Sequence, residues 1–279
     1  MSIATEISRL QTAKADIKSA IEAKGVTVPS NATLDTYDTY VSQISGGGGT
    51  NYLEQYANGT ISGAITSAQL GTNLGRNMPQ YLFAENANIT SIDLTGTGVQ
   101  RIGKSFCAQC TGLTSVTLPN TVDTLSDFFL DGCSHVTSIT LPSSVISTGS
   151  YCLQNCGRLT QIICNMSGAG LDSYFAFGCE GLTLVDLSSS VRDIASNCFR
   201  LNYEQTHLLE VVLRKTNGIV TIHGAIGSGS SYAPFKNWKN IKLYVPQALK
   251  ASYEADSNWS AGVTAGVLTI VDLEGSQYE

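Results

Sequence analysis

Apolar residues in the middle of the chain recur at a fixed interval of 23 positions. Phe106, Phe129, Cys152, Phe175 and Cys198 share one place in that interval. Cys110, Cys133, Cys156 and Cys179 share a second, and Leu113, Val136, Leu159 and Leu182 a third. Val116, Ile139, Ile162 and Val185 follow, then Leu118, Leu141, Cys164 and Leu187. No insertion breaks the register between residues 106 and 198. Such a period predicts a solenoid, in which each unit buries its apolar side only by stacking on its neighbours. Within one unit, Leu113-Thr114-Ser115-Val116-Thr117-Leu118 reads as a strand with Val116 and Leu118 inward and Ser115 and Thr117 outward. Equivalent strands are expected to pair in parallel, and Pro119 and Pro142 to end them by removing a donor.

The pattern changes outside the array. Ile3, Ile7, Leu10, Ile17 and Ile21 are spaced 4, 3, 7 and 4, the a/d seam of a short heptad helix with Lys14 at the skipped seat. Gly25 stops it, Pro29 marks a turn, and Leu34, Tyr37, Val41 and Ile44 form the face of a second short helix. Residues 1–45 therefore read as a helical hairpin, too small for a core of its own. It either folds onto the solenoid end or serves self-association or attachment. The glycines at 46–49 form a flexible linker at 46–50, which favours attachment. Residues 51–81 read as an N-terminal cap, 82–246 as the solenoid and 247–279 as a C-terminal cap with a helix near Gln247 to Ala255 and a strand from Val267 to Val271. The expected fold is thus an α/β-type repeat solenoid with an N-terminal helical hairpin.

Composition narrows the chemistry. Charged residues make up 14% of the chain, against about 25% in ordinary globular proteins, and the net charge is −6. Clustered Lys and Arg, which nucleic-acid binding requires, are missing from the sequence. No apolar run is long enough to insert in a membrane, and Met1 to Glu6 starts no secretory signal. All eight cysteines stand in apolar columns, where cysteine acts as a small buried hydrophobe, and they are expected to be reduced. Cys107-Ala108-Gln109-Cys110 is a lone C-x-x-C without a second pair at zinc spacing. His135, His207 and His223 are scattered, and no two carboxylates of the repeats share a column. No catalytic residue, metal or cofactor is therefore expected, and the chain does not read as an enzyme.

The outward strand positions carry the remaining signal. They run from Ser115, Thr117, Ser138 and Thr140 to Gln161 and Ile163, Leu184 and Asp186, then Glu210 and Val212. The polar-to-apolar drift makes Gln161, Ile163, Leu184, Asp186 and Val212 an expected interaction face. An equally good reading has Ile163, Leu184 and Val212 covered by something else in the assembly, the chain's own C-terminal segment being one candidate.

The pattern L-T-S-V-T-L-P-x-x-V preceded by F-x-x-C, at residues 106–122 and 129–145 and with lapses at 152–168 and 175–191, resembles the BspA-like class of leucine-rich repeats. Leu243-Tyr244-Val245-Pro246, with Tyr253 and Trp259, looks like the closing segment of such arrays. The segment from Leu10 to Ile44 is similar to N-terminal modules of phage virion and tail proteins. Together these resemblances imply a structural and interaction protein of a phage particle, a fibre or tail appendage made in the host cytoplasm. Its N-terminal seam would form a homotrimer or dock on another virion protein, and its solenoid would meet a host-surface glycan or protein. The alternative is a bacterial surface or secreted adhesin. A glycan-processing enzyme would need a cluster of acids that the columns do not supply.

Overall fold

The computed structural model describes residues 11, 14–19, 21–22, 28, 62–70, 76–168 and 170–279. The chain divides into two compact units, Met1–Gln55 and Tyr56–Glu279. In the first unit, residues 11, 14–19 and 21–22 are helical, with Lys18 and Glu22 3.7 Å apart one turn along the helix. The expected second helix and the glycine linker lie outside the described residues.

In the second unit the 23-residue period becomes a parallel β-solenoid. Its main face carries strands at Gly63–Ile65, Ile89–Asp93, Ser115–Thr117, Ser138–Leu141, Gln161–Cys164, Leu184–Leu187, Leu209–Leu213, Ile241–Val245 and Leu268–Asp272. All pairings among them are parallel, and successive repeats align column on column, as Ile139 on Ile162 and Ile162 on Val185. The first strand lies within residues 51–81, so the stretch read as a cap contributes to the same face.

These strands form one ladder of three and one of six, parted between Ser115–Thr117 and Ser138–Leu141. One backbone rung is missing at this break. Asn165, Ser188 and Arg214 each follow a strand and donate a backbone N–H to the last carbonyl of the strand before it. Pro142 stands at that place in its own repeat and has no N–H to give. Short return strands, Arg101–Ile102 with Thr124–Leu125 and Gly170–Leu171 with Asp193–Ile194 and Thr221–Ile222, close the opposite side.

The core is the set of inward columns. Val136, Leu159, Ile162, Val185 and Leu187 are fully buried. Phe83, Phe106 and Phe129 stack through it at centroid distances of 5.2 and 6.0 Å. Cys152 interrupts the rings, which resume from Phe175 through Phe199 and Phe235 to Trp259. Cys198 keeps the seat of Phe175, its carbonyl accepting the Ala176 N–H as the Phe175 carbonyl accepts the Leu153 N–H, and Phe199 brings its ring from the neighbouring seat. At the far end the helices Gln247–Ala255 and Ser257–Thr264 and the strand Leu268–Asp272 cover the last repeat. Trp259 donates its indole N–H to the Val220 carbonyl (2.9 Å), and the Tyr253 hydroxyl accepts the Val220 N–H (2.9 Å). Both rings thus enter the core without stranding a polar group.

Candidate interaction surface

Each repeat turns with two left-handed residues. One column, Glu85, Gln109, Gly132, Asn155 and Gly178, mostly uses residues that tolerate this backbone. The other does not. Phe128, Tyr151 and Tyr174 adopt φ of 58°, 59° and 60°, a conformation that is strained for bulky side chains. Their rings repay part of the strain by stacking on one another at 5.1 and 4.7 Å, nearly parallel. The Lys104 ammonium lies 5.4 Å from the Phe128 ring centre, and Phe177 meets Tyr174 in a T-shaped contact. The three stacked rings are half-buried. The stack forms a surface spine along three repeats.

The thiol columns are structural as well. Cys133, Cys156 and Cys179 point their sulfurs at the carbonyls of Cys107, Leu130 and Leu153, at 3.0, 3.2 and 3.0 Å, and each is fully buried. Burial pushes the Cys133 thiol up to about 12 and raises Cys152, Cys164 and Cys198 as well, so none of these is a nucleophile at neutral pH. One expectation fails. Cys107 and Cys110 are joined in a disulfide, with Cα atoms 5.5 Å apart, and the other six are free. The tight turn of the C-x-x-C brings the two sulfurs together, a local geometry that the column argument ignores.

The outward strand positions form two continuous ladders. Ser138, Gln161, Leu184 and Glu210 align in one, and Thr140, Ile163, Asp186 and Val212 in the other. Ser115, Thr117, Ser138 and Thr140 are exposed, and Gln161, Ile163, Leu184 and Asp186 are half-buried. Val212 is not available on this face. It is fully buried with Tyr244 and Leu273, and Leu184, Val271 and Tyr278 pack against that cluster. Of the two readings of the apolar positions, the chain's own C-terminal segment holds for Val212 and for part of Leu184.

Sequence columns did not reveal what fastens that segment. The Glu210 carboxylate accepts from the hydroxyls of Tyr244 and Tyr278, each at 2.6 Å. Burial, and then the bond to Glu210, raises the Tyr278 phenol well above its ordinary value, and Tyr244 is raised by the same two causes. Beside this network Arg214 grips Asp186 with two bonds, of 2.8 and 2.9 Å. In the N-terminal unit the expected attachment residues Ile3, Ile7 and Leu10 lie outside the described residues. Ile17 is 42% exposed and Ile21 is buried. Among the described residues no group of three or more His, Cys, Asp or Glu could hold a metal, and no helix is long and apolar enough to cross a membrane.

The BspA type leucine rich repeat region matches residues 76–206 in six copies. These repeats are BspA-type leucine-rich repeats. No curated protein matches the chain. Among solved structures, the pneumococcal vaccine antigen PcpA is 16% identical with a TM-score of 0.48, and the match covers 75% of this chain and 41% of that one. The chain thus spans under half of the PcpA structure. The T. pallidum leucine rich repeat protein is 18% identical with a TM-score of 0.47, covering 68% of this chain and 80% of the other. A leucine rich cell surface protein from Faecalibacterium prausnitzii is 14% identical with a TM-score of 0.22, covering 78% and 80%. The stacked strands of such an array present side chains at fixed spacing.

Proposed function

We propose that the chain is an adhesion component of a phage particle, a fibre or tail appendage. Its N-terminal helix attaches it, and the open part of the strand face meets a host-surface glycan or protein. The observation that carries this reading is the division of the outward face. The chain closes its own C-terminal part and leaves Ser115, Thr117, Ser138, Thr140, Gln161 and Ile163 in two regular rows on a rigid support. Attachment falls to Ile3, Ile7, Leu10, Ile17 and Ile21, whose narrow seam gains stability by meeting further copies, a homotrimer in this reading, or another virion protein.

Immunogold labelling of purified particles with antibody to the solenoid tests the location. Label on particles supports the proposal, and label confined to bacterial envelopes overturns it. Deleting residues 1–48 is expected to leave the solenoid folded and to abolish incorporation or self-association. A second reading, a bacterial surface adhesin, is favoured by the Cys107–Cys110 disulfide, since such bonds persist outside the reducing cytosol. The six free thiols stand against a disulfide-built secreted domain.

A further inference from the structure

We propose that a cleft on the turn side of the solenoid binds a tetrahedral oxyanion, the phosphate or sulfate group of a ligand. The cleft has a volume of about 550 Å³ and is lined by Ser167, Ser189, Ser190, Arg192, Lys215 and Asn217. Three successive turns build it. Ser167 follows the strand Gln161–Cys164, the two other serines follow Leu184–Leu187, and Asn217 follows Leu209–Leu213. Stacking holds the turns in place, with the Ser188 hydroxyl donating to the Met166 carbonyl at 2.6 Å and the Thr221 N–H to the Arg192 carbonyl at 2.8 Å.

Charge decides the ligand class. The lining holds two cations, three hydroxyls and an amide, and no carboxylate. On a chain of net charge −6 this local excess stands out. The nearby carboxylates are committed elsewhere. Asp186 takes both bonds from Arg214, and Asp193 lies 2.8 Å from the His223 ring nitrogen. Among the described residues neither Arg192 nor Lys215 has an anionic partner.

Lys215 is the second, independent observation. Its residue is only 7% exposed, and among the described residues its ammonium bonds to the carbonyls of Asn217 and Gly218 alone. An ammonium has three protons to donate, so Lys215, a residue of the cleft lining, has capacity for a third acceptor. A buried cation without a counter-charge is costly, and an oxyanion in the cleft would supply both the charge and the third acceptor. Arg192 is exposed and offers a planar pair of donors, the geometry suited to two oxygens of one phosphate or sulfate. The serine hydroxyls then serve as neutral donors to the remaining oxygens.

The test titrates the full chain with inorganic phosphate, inorganic sulfate, glycerol phosphate and chloride, and follows backbone amide shifts. Saturable shifts at Ser189, Ser190 and Asn217 with the oxyanions, and weaker ones with chloride, are expected. Tighter binding of glycerol phosphate than of inorganic phosphate assigns the group to a polymer or lipid headgroup, and equal binding assigns it to the free ion; both support the site. Arg192→Gln, which changes an exposed side chain, is expected to weaken binding about tenfold by removing a charge-assisted contact. Lys215→Met is expected to abolish it. Lys239→Gln, which disturbs only the pair with Glu204, should leave binding unchanged. Absence of saturable shifts, or equal affinity of Arg192→Gln and the parent chain, would overturn the proposal. It does not depend on where the protein resides, so it stands or falls separately from the phage assignment.

Discussion

The two ends of the outward strand face share the same parallel stacking and end differently. From Ser115 to Thr140 the outward seats hold serine and threonine and stand in solvent. From Glu210 to Val271 they hold a carboxylate, a lysine, a tyrosine and valines, and the tail from Leu273 to Tyr278 closes over them. The inward columns are alike in both regions, so stacking does not explain the difference. Outward chemistry does. A row of small hydroxyls costs little when hydrated, whereas Val212 and Tyr244 would leave an apolar patch on the last turns. Covering them removes that patch and anchors the tail through Glu210. The open end stays in solvent.

The comparison breaks most severely if the inward columns are not shared. Leu141→Asp would bury a carboxylate between two repeats, a loss of several kcal/mol. Thr140→Asp, one residue away but outward and exposed, should change stability within about 0.5 kcal/mol. Thermal melts of the two variants check this, and equal melting temperatures would mean that the faces are reversed.

Next in size is the tail. The Tyr278 and Tyr244 phenols are raised in the folded chain by burial and by Glu210. Folded chain therefore holds these protons where unfolded chain has lost them. The stability they supply is complete below the ordinary phenol value of about 10 and is lost as pH rises above it. Tyr278→Phe should flatten that alkaline loss and cost about 1 to 2 kcal/mol at neutral pH. Denaturant melts at neutral and alkaline pH read both, and an unchanged alkaline slope would release the tail from this role.

A thiol count distinguishes the two ends chemically. Unfolding without reductant should expose six reactive thiols, and unfolding with reductant eight, because Cys107 and Cys110 are paired. Native chain should react at few of them, since all are buried. Eight thiols before reduction would restore the reduced column that the sequence alone suggests.

The smallest effect is expected at the aromatic spine. Tyr151→Asn relieves a left-handed tyrosine at φ 59° but removes two ring stacks. Relief and loss are each about 1 kcal/mol, so the melting point should barely move. A loss of several degrees would make the spine part of the core.

How much of this was legible followed from where burial repeats. Val116, Ile139 and Ile162 face identical surroundings in each turn, so selection for packing writes the 23-residue period into the chain. Phe128, Tyr151 and Tyr174 keep the same period one seat ahead of the phenylalanine column, and the spine could have been found there. Tyr278 and Glu210 are 68 residues apart and belong to no repeat, so nothing in the pattern joins them. The oxyanion cleft is equally hidden, because Arg192 and Lys215 come from turns of unequal length.

Hydroxyl-radical footprinting tests the division of the face most directly, comparing the full chain with one lacking residues 273–279. Ile163 should be labelled equally in both, while Val212 and Tyr244 should be protected in the full chain and labelled once the tail is gone. Val212 labelled as strongly as Ile163 in the full chain would contradict the account.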